Sequence, residues 1–169
     1  MVAAAKRQVG VTTVYDPAYV VLPYPGGDIS RERGVCTDVV VRAYRDAFDL
    51  DLQRLVHEDM LREFSAYPAR WGLSAPNANI DHRRVPNLRT FFLRQGAALP
   101  ISADPAAHRD GDLVTVKLPG NLDHIMIVSG RSDSGEPLAV HNIGRGAQLE
   151  PVLFLFPHTG RYRFPPPDA

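Results

Sequence analysis

Three side chains in this sequence have the types and placement that thiol chemistry needs: Cys36, the only cysteine, and two histidines, His124 and His141. A thiol attacks a carbonyl as thiolate, and a free cysteine titrates at about 8.5, so a nucleophilic cysteine needs a cation or a helix N-terminus beside it. Position 36 opens the stretch CTDVVVRAYRDAF. There Cys36, Val40, Ala43, Tyr44 and Ala47 recur at helical spacing, with Asp38, Arg42, Arg45 and Asp49 on the other face. The unpaired N–H groups of that first turn, including that of Cys36 itself, would lower the thiol pKa and receive an oxyanion. The same apolar stripe supports a second reading, in which Cys36 is a small buried core residue.

A base decides between these readings, and six histidines are present: His57, His82, His108, His124, His141 and His158. Two of them are placed by strand geometry. DHIMIVSG and EPLAVHNIG read as short strands joined by the polar turn GRSDSG, which predicts a hairpin. A register that sets Met126 opposite Ala139 and Val128 opposite Pro137 also sets His124 opposite His141, with Cβ atoms about 5 Å apart. A slip of one residue brings Asn142 beside His124 instead. In either case a helix-borne thiol, His124 as proton acceptor and His141 or Asn142 as its orienting group form a triad.

The elements that must position these groups divide the chain in two. After a short helix or arm at the start, YDPAYVVLPYPGGDISRERG reads as an irregular loop into Cys36. Helices are predicted from Cys36, over Leu52 to Phe64, and over VPNLRTFFLRQG, where Pro86 suits the first turn and Gly96 the stop. Thereafter DLVTVKL, HIMIVSG, PLAVHNI, VLFLF and GRYRF read as β-rich segments. Helices followed by an antiparallel sheet define an α+β class, in one domain spanning 1–169 with a core over about 11–164 and a frayed PPPDA tail.

Substrate-binding candidates are Tyr24, in the flexible PYPGGD loop, and His82, Arg83 and Arg84 in NIDHRRVPN, where arginines suit a peptide carboxylate or a charged helix entry with internal salt links. His57, Glu58 and Asp59 lack the i, i+4 histidine pair of a zinc peptidase, so no metal is expected, and no cofactor. Nineteen basic side chains balance nineteen acidic ones with no basic stripe, which argues against nucleic acid, and no apolar run is long enough to span a membrane.

The segments YDPAYVVLPYPGGDISRERGVCTDVVVRAYR, LVHEDM, FSAYPARWGL, NIDHRRVPNL, LPGNLDHIMIVS and VHNIG resemble the bacterial family catalogued as domain of unknown function 1287. That resemblance covers about Val11 to Phe164 and implies a papain-like, NlpC-type core, with Cys36 as nucleophile, His124 as base and His141 as orienting residue. Thr37 stands where these enzymes carry Ser or Thr. Two departures stand out: Val35 replaces the usual Asp before the cysteine, and His124 lies 88 residues beyond Cys36, farther than in compact relatives. The resemblance implies a thiol hydrolase acting on peptidoglycan or a small peptide. A cell-wall peptide-binding module and an acyltransferase using the same residues are the alternatives. Cell-wall work implies a periplasmic, envelope or secreted location, with which the VAAA beginning is compatible if a signal peptide has been removed.

Overall fold

The computed structural model describes residues 1–165, so the expectation for the proline-rich tail lies outside the described residues from position 166 on. Helix α1 (Val2–Lys6) precedes a two-residue parallel ladder of β1 (Val14–Tyr15) and β2 (Arg33–Gly34), which ties off the irregular loop between them. Helices α2 (Cys36–Phe48), α3 (Leu52–Arg62) and α4 (Val85–Arg94) follow. The strands are β3 (Ala98–Leu99), β4 (Leu113–Leu118), β5 (Leu122–Arg131), β6 (Pro137–His141), β7 (Gln148–Glu150) and β8 (His158–Tyr162). They form one antiparallel sheet in the order β3-β8-β4-β5-β6-β7. The α+β order of the sequence reading is present.

Helix ends follow local chemistry. Asp51 caps α3 by accepting from the Gln53 N–H, and α4 carries Pro86 in its first turn, where a missing N–H costs nothing. Helix α2 ends on Asp49 in the left-handed conformation, its N–H bonded to the Arg45 carbonyl. The helices lie on one face of the sheet, where Val40, Ala43, Tyr44, Leu88 and Phe92 pack against Ile125, Ile127 and Val140. On the other face Val114, Val116, Met126, Val128 and Ala139 pack with Leu153. The central strands are buried on both sides, hence their near-continuous apolar runs.

Three expectations change. VLFLF is not a strand: Pro151 and Pro157 bracket it, and the chain turns so that Leu153 is buried while Leu155 is exposed. The β5–β6 register sets Ile127 opposite Val140 and Val128 opposite Ala139, two residues away from the predicted pairing, and an irregularity between Val128 and Arg131 absorbs the difference. A shift of two keeps every side chain on its face, so His124 and His141 stay on the same side as diagonal neighbours.

The third change concerns α2. The helical period places Asp38 and Arg42 on the face away from the core, yet both are buried. Arg42 holds Asp28 at 2.8 Å and donates to the Arg33 carbonyl, while Asp38 pairs with Arg83. The loops fold over this face and supply opposite charges. A side chain at Gly34 would put Cβ 3.1 Å from both Arg42 Nη1 and Asp38 Cβ, a tight fit that would push on the buried pair. Removing one member of a buried pair strands the other charge, so Arg83→Met should cost about 3–5 kcal/mol in urea unfolding. Asp38→Asn combined with Arg83→Met should cost less than the sum of the singles.

Candidate functional site

Cys36 is the first residue of α2, and the loop before it is held from three sides. Asn142, at the end of β6, donates through Nδ2 to the Gly34 carbonyl at 2.9 Å. The Val35 N–H donates to Asp38 Oδ2 at 2.7 Å, and Arg83 Nε and Nη2 donate to the two oxygens of the same carboxylate at 2.8 and 2.9 Å. Asp38 thus satisfies an orphan donor of the helix start while a buried guanidinium balances its charge. Asn142 is committed to this anchoring and does not orient His124.

The Cys36 sulfur is approached by the backbone N–H groups of Cys36, Thr37 and Ile125, which stabilise a thiolate. Burial outweighs them, with the Asp38 charge adding to it, and the thiol is pushed up to about 11. The depressed thiol pKa expected of a helix N-terminus is therefore absent. Among the described residues only backbone dipoles, and no cationic side chain, lower it.

His124 and His141 have their ring centroids 5.7 Å apart and their planes nearly perpendicular, at 85°. They share the sheet face of Met126 and Ala139, whereas α2 packs on the face of Ile125. Cys36 therefore meets β5 at the backbone of the residue after His124. Among the described residues no hydrogen bond joins the thiol to the imidazole. The structure brings Cys36 to the strand that bears His124, and His124 to His141.

His141 Nε2 lies 3.0 Å from Glu150 Oε2 on β7. A carboxylate only accepts, so Nε2 carries the His141 proton and Nδ1 is left as an acceptor. Nδ1 of His141 and Nε2 of His124 are both buried without a partner. Burial, with His141 adding to it, pushes His124 down to about 3, and burial also lowers His141 although Glu150 opposes it. At neutral pH the site holds a neutral thiol and two neutral imidazoles.

A cleft of about 240 Å³ opens over Cys36, bordered by Tyr15, Arg70, Trp71, Arg84 and Asp123. Two guanidinium groups lie over the Trp71 ring, that of Arg84 at 4.1 Å and that of Arg70 at 5.8 Å from its centroid. Arg70 pairs with Asp123 at 2.7 Å. Among the sequence candidates Arg84 borders the cleft with its guanidinium, 3.2 Å from Asp81. Arg83 also borders it, but its N–H groups go to Asp38, Asp16 O and Ala18 O, so it holds the protein together and is not free to take a carboxylate.

His82 is buried and does not border the cleft, and burial pushes it down to about 4. Tyr24 is outside the cleft, edge-on to His57, because Gly26 and Gly27 of its loop donate to Asp51 and Gln53 at the start of α3. Sequence reasoning missed Tyr15, Trp71, Asp123 and Glu150. For Asp123 a signal existed, since it precedes His124 and must point to the opposite face. Among the described residues no group of three or more His, Cys, Asp or Glu could hold a metal, and no helix is long and apolar enough to cross a membrane.

The depressed histidines set an acid limit on stability. Above about pH 6.5 these imidazoles are neutral both folded and unfolded. As pH falls below that, the unfolded chain binds protons that folded His82 and His124 refuse until about 4 and 3. Stability therefore drops as pH falls through this window. The urea midpoint should decline from pH 7 to pH 4.5 with proton uptake on unfolding, and His124→Gln should flatten the decline.

Comparison with known proteins finds a match over residues 2–164 to the family described as Domain of unknown function (DUF1287). The uncharacterized protein YijF of Escherichia coli (strain K12) is 53% identical over 161 residues, covering 95% of this chain and 78% of that protein.

Proposed function

We propose that this chain, which belongs to the DUF1287 family, is a thiol hydrolase of papain-like, NlpC-type architecture that cleaves an amide bond in peptidoglycan stem peptides. The observation that carries the reading is the position of Cys36 at the head of α2 on the border of an open cleft, against the strand that bears His124, with His141 next to that imidazole and Glu150 next to His141.

In the proposed reaction Sγ attacks the amide carbonyl carbon as the thiol proton passes to His124, whose ring lies at rest on the sheet face away from α2 and must come within reach of Sγ at the start of β5. The oxyanion is held by N–H groups of the α2 first turn. Collapse of the intermediate breaks the C–N bond, and His124 returns the proton to the leaving amine, giving a thioester on Cys36 and a free amine. Water, deprotonated by His124, then attacks the thioester and releases the acid and the thiol. His141, its proton fixed on Nε2 by Glu150, presents Nδ1 to His124 and stabilises the imidazolium. A cell-wall substrate implies action in the periplasm or envelope.

The thiol and imidazole are each neutral at rest, so proton transfer must accompany attack, when the new charges stabilise each other. Iodoacetamide labelling of Cys36 should therefore climb from pH 7 toward pH 11 without a plateau near neutrality. A plateau below pH 8 would show a pre-formed thiolate pair instead.

The neutral thiol, with no hydrogen bond to His124, also favours a second reading, a peptide-binding module that does not cut. Purified peptidoglycan incubated with the protein separates the two. Hydrolysis releases peptide fragments detectable by mass, with Cys36→Ala at least about 1000-fold slower, as loss of a nucleophile requires. Retention on peptidoglycan by both proteins, with no fragments, would establish the module.

A further inference from the structure

Along α4 the Cys36 cleft shares Arg70 and Pro86 with a second groove, of about 280 Å³. Pro68 and Leu93 give this groove apolar walls, and Arg89 of α4 and Tyr162 of β8 complete its polar border. No acidic side chain borders it.

The charges around the groove do not balance. Arg89 Nη2 donates to the Thr159 carbonyl at 2.9 Å, and among the described residues no carboxylate pairs with this guanidinium. Its Nε is enclosed by protein, whereas Nη1 is neither enclosed nor bonded among the described residues. Arg70 is half exposed and pairs with Asp123 at 2.7 Å, but the same carboxylate also holds Lys117 at 2.9 Å, so two cations share one anion.

Tyr162 adds a neutral donor to these cations. The residue is 5% exposed, yet among the described residues its hydroxyl is neither bonded nor enclosed. A Cβ at Gly160, on the same face of β8, would collide with that hydroxyl, so the bare glycine gives the tyrosine its room. A guanidinium only donates, so the polar groups that the groove leaves unspent are matched by an acceptor carrying negative charge.

We infer that this groove is an anion subsite of the Cys36 cleft, which takes a carboxylate of the substrate against Arg70, Arg89 and the Tyr162 hydroxyl. Its standing as a subsite rests on the reading of Cys36 as nucleophile, whereas its binding of a carboxylate does not. A substrate whose amide lies over Cys36 would extend past Pro86, its apolar part against Pro68 and Leu93, and place the carboxylate to one side of the bond that breaks.

Benzoate, benzamide and benzamidinium share one shape and differ in charge, from negative through neutral to positive. Titrated into the full Cys36→Ser chain labelled with ¹⁵N, benzoate should shift the Arg70 and Arg89 Nε–H signals and bind about tenfold more tightly than benzamide, with benzamidinium weakest. Arg89→Gln should remove the preference for benzoate, and Tyr162→Phe, which keeps the ring, should weaken benzoate about threefold. Equal binding of benzoate and benzamide, or a preference unchanged in both variants, would overturn the anion assignment. Tighter binding of phenyl phosphate than of benzoate would overturn the carboxylate, and binding of none would overturn the groove as a site. Wild type should release fragments from a peptidoglycan stem peptide at least about tenfold faster than from the same peptide with its carboxylates amidated, and equal release would overturn the subsite. Benzoate binding without fragment release from either peptide would instead contradict the hydrolase reading and leave the anion groove standing.

Discussion

The pair of Asp38 and Arg83 is the constraint through which the rest of the site is built. One carboxylate receives the Val35 N–H and so sets the first turn of α2 with Cys36 at its head. One guanidinium, 45 positions along the chain, receives that carboxylate and donates to the carbonyls of Asp16 and Ala18. The loop that carries Tyr15 is thereby fastened to the helix start. Arg84, next in the chain, is carried to Trp71, where the two border the cleft. Burying both charges is unfavourable by itself, and what makes it tolerable is that every donor aimed at the carboxylate is short and directional.

The pair also explains which parts of the site were legible. The helix start at Cys36 and the faces of His124 and His141 follow from periods of 3.6 and 2, which local sequence carries. The hairpin register differs by two because several residues of GRSDSG suit a turn, and both its glycines, Gly130 and Gly135, take a positive φ. The face survived because two is the strand period. Partners of charges are not written in any period. For Arg83 the sequence leaves open a ligand carboxylate or an internal salt link, and only the tertiary fold shows that it answers Asp38. Glu150 lies on a strand too short to read, and VLFLF has strand composition between two prolines that prevent it from joining the sheet.

The chemistry of the site is governed by dryness. A thiol raised by burial and an imidazole lowered by it are the same effect acting on opposite charge types. Such a site is quiet in the absence of substrate, because creating either charge alone is unfavourable. In the proposed reaction a bound carbonyl would change this by supplying a place for the electron pair under N–H dipoles of the helix start. His124 and His141 lie together on the face of the sheet away from α2, with Glu150 bonded to His141, and in the proposed reaction that pair would set an acceptor against the His124 ring.

The central claim is that Cys36 Sγ forms a covalent acyl intermediate. Acid-quenched intact-mass analysis of the full chain during incubation with peptidoglycan stem peptides reads it directly. The account predicts a mass increase equal to the acyl fragment, located on Cys36, removed by hydroxylamine and absent in Cys36→Ala. Peptide cleavage that proceeds in Cys36→Ala at the wild-type rate, or cleavage by wild type with no adduct under rapid quench at saturating substrate, would contradict it.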